Sequence, residues 1–188
     1  AAGQYEAGCE FGHMAMRLAQ KQQNTFALCQ AQVWFGGFTS HWREPVDVGI
    51  AVLKECVDTS LRIGAPLWAA YAAFFAPVHT WWRGAPLADA LAAFDRYIIP
   101  MEGQSTAAAI AYRHAIRGLM GLHDGAGALD DRPEGFVMRE HEASTREDGL
   151  HLALQHCFVA RMVSHNHFGQ HVDALAAHAE AVAEGSIH

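Results

Sequence analysis

Apolar residues recur along this chain at helical spacing. Over residues 1–20, Tyr5, Cys9, Met16 and Leu18, with Ala7 and Ala15, give a stripe near the helical period. The polar run 20–24 ends that stripe, and Asn24 or Thr25 offers an N-cap for a second helix over 26–41. This helix carries Leu28, Cys29, Val33, Trp34, Phe35 and Phe38, with Gly36-Gly37 inside it. Glycine costs about 1 kcal/mol relative to alanine within a helix, so the pair predicts close approach of a neighbouring helix. Pro45 suits the first turn of a third helix over 46–63, with Gly64 as its C-cap. Pro66 opens a fourth helix over 67–83, dense in aromatics (Trp68, Tyr71, Phe74, Phe75, Trp81, Trp82), in which Pro77 predicts a kink or break. Gly84 and Pro86 mark the next turn, and helices are expected over 87–100 and 107–122. From Asp124 to Gly135 the pattern gives way to a polar loop, followed by a short or displaced helix within 136–144. Thr145 or Asp148 then caps a long helix to His167, and residues 170–184 make the last one. No stretch alternates at period two over a useful length, which makes the fold class all-α.

Several turns look like copies of one element. Phe168-Gly169-Gln170-His171-Val172-Asp173 is matched by Trp82-Arg83-Gly84 with Asp89, by Trp42-Arg43-Glu44-Pro45 with Asp47, and by the N-terminal segment with Glu6. The acidic marks Glu6, Asp47, Asp89 and Asp173 lie 41, 42 and 84 residues apart, the last being twice 42. A period near 40 with two helices per unit predicts an α-solenoid of about four antiparallel helix pairs. The units run over about 1–23, 24–64, 65–103, 104–145 and 146–188 of a single domain 1–188.

The last unit resembles a tetratricopeptide (TPR) repeat in Gly169 at the turn, Ala174 and Ala181 at small positions, and Val159 and Met162 at apolar ones. The unit turning at Gly84 is similar, with Ala90, Phe94 and Tyr97. The repeat is longer than the 34 residues of that motif. The longer, degenerate TPR-like region of large bacterial signalling proteins is a closer match. There such helices follow an AAA-type (STAND) ATPase module and often precede GAF and histidine-kinase or other output domains. The resemblance is carried by Gly37-Phe38-Thr39-Ser40-His41-Trp42-Arg43-Glu44-Pro45, Ala69-Ala70-Tyr71-Ala72-Ala73-Phe74-Phe75, Trp82-Arg83-Gly84-Ala85-Pro86-Leu87 and Phe168-Gly169. It implies a right-handed superhelix that regulates or binds without catalysing, in the cytoplasm and without a cofactor. It also implies a partner: a protein or peptide segment, a small effector, neighbouring domains of a parent ATPase or kinase, or a second copy. In TPR-like stacks the first helix of each pair lines the concave groove. By that resemblance Trp34, Phe38, His41, Tyr71, Phe74, Trp81, Tyr112 and His156 are the candidate partner-binding residues. The competing reading, and the weightier one for most of these rings, is inter-helix core.

Composition narrows the field. The net charge is −7, and the 13 Lys and Arg are mostly isolated, which argues against a general nucleic-acid binder. Residues are 51% hydrophobic with a mean hydropathy of zero, enough apolar surface for a real core. Cys9, Cys29, Cys56 and Cys157 are widely spaced and read as reduced thiols. No apolar run is long enough to span a bilayer, because the longest, 65–82, contains Pro66, Pro77, His79 and Thr80. The chain opens inside a helical pattern without Met, as expected of a piece of a larger protein.

Thirteen histidines raise the question of metal. His151, His156, His165, His167, His171 and His178 are the densest set, but no convergent carboxylates accompany them. They are expected as ordinary repeat positions, with a histidine-rich metal-binding protein or enzyme as the alternative. Glu10-x-x-His13 matches half of a di-iron motif whose second half is missing. Ser40-His41 and Ser164-His165 are sequence neighbours that do not face each other on a helix, and neither GxSxG nor GxxxxGK[ST] occurs. Neither a catalytic residue nor a metal ligand is expected. An architectural or dimerising spacer is the remaining alternative.

Overall fold

The computed structural model describes residues 4–97, 104–121 and 137–185, and among these every regular element is helical. In order they are α1 (Tyr5–Lys21), α2 (Thr25–Trp34), a π-turn (Phe35–Thr39), a 3-10 turn (Ser40–Trp42), α3 (Val46–Arg62), α4 (Pro66–Trp82), α5 (Leu87–Tyr97), α6 (Gln104–Gly121), α7 (Met138–Glu147), α8 (His151–His167) and α9 (His171–Ala183). The chain divides into two compact units, Ala1–Pro86 and Leu87–His188, with the boundary inside the expected 65–103 unit.

In the first unit α3 packs along α4, α1 on α2, and α2 on α3. The paired glycines make the expected close approach. A Cβ on Gly36 would stand 2.8 Å from Leu53 Cγ and 2.9 Å from the Gly49 carbonyl oxygen. One on Gly49 would stand 2.8 Å from the Gly36 carbonyl oxygen and collide with Ser40 Oγ. The consequence for local structure was not expected. α2 stops at Trp34 instead of running to His41, and the backbone widens into a π-turn over Phe35–Thr39. Thr39 Oγ1 donates to the Trp34 carbonyl at 3.1 Å. Such wide turns are uncommon and often accompany functional sites.

Arg43 pairs with Glu6 at 3.0 Å, and Arg83 pairs with Asp47. Two of the acidic register marks thus meet the arginine of the following turn, 37 and 36 residues away. These pairs are exposed and add little stability, but they give the arginines of the recurring Trp-Arg at 42–43 and 82–83 the same role.

In the second unit α5 packs on α6, α6 on α8, and α8 on both α7 and α9. Arg161 is almost fully buried on α8. Its Nε lies 3.2 Å from Glu142 Oε1 and its Nη2 is 2.5 Å from Glu180 Oε2. Arg139 Nη1 reaches the same Glu180 oxygen at 2.6 Å. Burial raises the pKa of Glu142, and Arg161 opposes that shift. A buried charge set of this kind ties three helices together, because losing one member strands the others.

Three expectations change. Pro77 does not break α4, which runs unbroken from Pro66 to Trp82 with Thr80 Oγ1 donating to the Ala76 carbonyl at 2.8 Å. The long helix to His167, expected from a cap at Thr145 or Asp148, is α8; it starts a few residues later, at His151, after a turn at Gly149 with φ +68°. The short helix expected within 136–144 is α7, displaced to Met138–Glu147; the expected loop 124–135 and the end of the fifth helix lie outside the described residues. Gly169 does form the expected turn. At φ +70° it lets Gln170 N–H reach the His165 carbonyl at 2.8 Å and its own N–H reach Asn166 at 3.1 Å. After α1 the same turn is built on Gln23, at φ 54°.

Candidate functional site: an uncharged aromatic face on the first unit

Residues 22–42 and 63–82 contain no Asp, Glu, Lys or Arg. Both stretches fall in the first unit, as do all five tryptophans. That unit holds six basic and six acidic residues, so the chain's whole −7 belongs to residues 87–188. No described helix is long and apolar enough to cross a membrane.

The uncharged stretches bring rings into a continuous series. Trp34 meets Phe38 at 5.2 Å between centroids, and Phe38 meets Phe75 edge-on at 4.7 Å. Phe75 leads to His79 at 6.1 Å, and His79 to Trp82 at 5.9 Å and His41 at 5.5 Å. His41 lies 5.2 Å from Trp42, which stacks on Tyr5 at 4.8 Å. Farther along the same two stretches, Phe26 meets Trp68 edge-on at 6.3 Å. Trp34, Trp42 and Trp82 are each more than half exposed, and Phe38 nearly so. The Trp42 indole N–H donates to the Phe38 carbonyl at 3.1 Å, which fixes that ring outward on the 3-10 turn.

Beneath the exposed rings lie two histidines. His79 is buried, and burial together with His41 lowers its pKa to about 4. Its ring also hydrogen-bonds the backbone of Gly37, inside the π-turn. Burial lowers His41 as well. Both rings are therefore neutral at pH 7 and add no charge to the two uncharged stretches.

The eight expected groove residues separate. Trp34 and Phe38 are exposed and in mutual contact; His41 and Tyr71 are half-buried, with Tyr71 beside Trp68 at 6.0 Å. Phe74 and Trp81 are corrections: both are buried. Tyr71, Phe74, Val78 and Trp81 follow one helical face, and that face turns inward as far as Phe74, Val78 and Trp81 are concerned. Trp81 is 8% exposed whereas Trp82, one position further around the helix, is 56% exposed. Tyr112 is likewise a correction. It is buried in the second unit against Phe94, and its hydroxyl is 3.3 Å from Nδ1 of half-buried His156. Burial raises the Tyr112 pKa and lowers that of His156 to about 4. Trp42 and Trp82, which mark turns of the repeat, are exposed rings not among the eight expected.

A second constellation lies where α1 meets the turn after Trp42. Cys9 and His13 are one helical turn apart on α1, and Glu44 comes from the loop before α3. His13 Nε2 is 2.6 Å from Glu44 Oε1, and Cys9 Sγ donates to the same oxygen at 3.7 Å. Phe35 packs on the His13 ring at 4.5 Å. Burial, then Glu44, raises the Cys9 pKa. Glu10 of the Glu10-x-x-His13 spacing has no part in this cluster, which pairs Cys9-x-x-x-His13 with a glutamate distant in sequence.

Comparison with protein-family models, with curated proteins and with solved structures finds no match for this chain.

Proposed function

We propose that the chain is a non-catalytic helical interaction module. Its first unit docks an apolar or aromatic segment of a partner protein on the face formed by Trp34, Phe38, Trp42 and Trp82, with His41 at its centre. The observation that carries this reading is the exposure of these large rings, joined through buried Phe75 and His79, on stretches without a single ionised side chain. Exposed large apolar rings gathered on one unit mark interaction sites, and Trp and Tyr supply most of the energy at them. Helices stacked as TPR-like pairs, in the regulatory region of a bacterial signalling ATPase or kinase in the cytoplasm, fit both this role and the Trp-Arg turns spaced 40 residues apart. A ligand that bound one state of such a parent protein better than another would shift its output.

Selection of a displayed peptide library on the full chain, with counter-selection on a Trp34→Ala/Trp42→Ala variant, tests the reading. Binders with apolar anchors that require both rings are expected. Binders indifferent to the two substitutions would overturn it, and so would a stable dimer in sedimentation that occupies the same rings.

A further inference from the structure

We propose that Cys9, His13 and Glu44 form a mononuclear site for a borderline divalent transition metal, Zn²⁺ first among them. Their ligand atoms all lie within 4.8 Å of one another. In a tetrahedral zinc site, bonds of roughly 2.3 Å to sulfur and about 2.0–2.2 Å to nitrogen and oxygen put ligand atoms about 3.3–3.6 Å apart. The three side chains therefore reach that geometry by shifts of about 1 Å or less, with His13 and Glu44 separating and Cys9 closing in.

The donor set selects the metal. A thiolate and an imidazole are poor ligands for Ca²⁺ and Mg²⁺, while sulfur, nitrogen and oxygen together suit Zn²⁺. Two ligands sit at i and i+4 on one helix, so α1 alone holds them on one face. The third is brought from 31 residues away by the fold. A separate observation concerns Glu44 Oε2, which is shielded from solvent without a hydrogen-bond partner. Buried polar atoms are normally satisfied, and a carboxylate oxygen left in this way is what a cation beside it would engage. Cys9 is buried while the side chains of His13 and Glu44 are 38% and 24% exposed, so one side opens to solvent. Water from that side supplies the fourth position, as in sites with three protein ligands. On binding, the Cys9 Sγ–H proton, now donated to Glu44, leaves to bulk solvent, the proton that His13 Nε2 shares with Glu44 passes through solvent to Nδ1, and the thiolate, the neutral imidazole through its freed Nε2, and the carboxylate bind the ion. No oxidant or reductant is involved. The bound ion would clip α1 to the turn that carries Trp42. The inference stands apart from the docking reading, since it concerns metal alone.

The test uses the full chain without an affinity tag, stripped by chelator under reducing conditions and titrated with Co²⁺. One equivalent should bind with the strong d–d bands of four-coordinate cobalt and a thiolate-to-cobalt charge-transfer band, and Zn²⁺ should displace it. Cys9→Ser should abolish the charge-transfer band. Glu44→Gln and His13→Gln should each weaken binding by more than the roughly 10–100-fold that losing a group behind a metal ligand costs. His171→Gln/His178→Gln should leave the titration unchanged. Helicity by circular dichroism identifies any variant that fails to fold, and Glu44→Gln, in a loop, provides the decision if Cys9→Ser does so. Absence of the charge-transfer band, its survival in Cys9→Ser, or binding indifferent to Glu44→Gln would overturn the site and leave adventitious histidine binding.

Discussion

Acidification should destabilise the first unit through His79. The unfolded imidazole titrates near 6.5, and the buried one near 4. Because the native value is the lower, the unfolded chain takes up the proton first. Stability is therefore full above pH 6.5 and falls as the pH drops toward 4. Each pH unit between the two values removes about 1.4 kcal/mol. From pH 7 to pH 5 the loss is about 2 kcal/mol, which His41, lowered in the same direction, can only enlarge. No carboxylate or cation lies on the uncharged stretches 22–42 and 63–82 to offset it. All five tryptophans lie in residues 1–86, so indole fluorescence follows this unit alone. With a urea slope of about 2 kcal/mol/M, the midpoint should fall by about 1 M between pH 7 and pH 5. His79→Leu keeps the apolar packing and removes the titration, so it should flatten most of that dependence even if it lowers stability at pH 7. A wild-type midpoint that stays constant over this range, or a His79→Leu slope equal to that of wild type, would refute the buried, neutral assignment.

Three further outcomes follow from the packing. Gly49→Ala drives a methyl into Ser40 and the Gly36 carbonyl, and should destabilise the first unit by about 2 kcal/mol, read by the same fluorescence. Arg161→Ala strands Glu142 and should lower amide-exchange protection across α7, α8 and α9 by about 3–5 kcal/mol; a loss below about 1 kcal/mol would mean the ion cluster is not holding those helices. Gln23→Gly relieves a left-handed residue at φ 54° and should stabilise the α1–α2 turn by about 0.5–1 kcal/mol, whereas Gln23→Val should do the reverse.

Local chemistry made much of the fold readable. Helical spacing, the capping Asn24, Pro66 at a helix start and the turn glycines placed the helices to within a few residues. Gly36-Gly37 announced a close crossing, since only a neighbour's approach compensates for two glycines there. What the crossing does to the backbone was not legible, because the π-turn depends on where Gly49 and Leu53 of α3 press. Helical phase was the weak point at the site. Trp81 and Trp82 are equivalent in composition, and only packing against the rest of the unit decides which one turns inward. The Cys9-x-x-x-His13 spacing was visible in α1, but Glu44 joins it only when the turn after Trp42 folds back on that helix. The partnership of Glu142 with Arg161 and Glu180 likewise requires three helices to be in place.

The docking claim rests most directly on one titration: a selected peptide with apolar anchors, added to the full chain and followed by anisotropy of a label on the peptide. Trp34→Ala/Trp42→Ala should weaken binding by roughly 30-fold or more, the scale of a hot-spot loss above about 2 kcal/mol, while its stability from urea unfolding stays within about 0.5 kcal/mol of wild type. Equal affinity for wild type and variant would contradict the account.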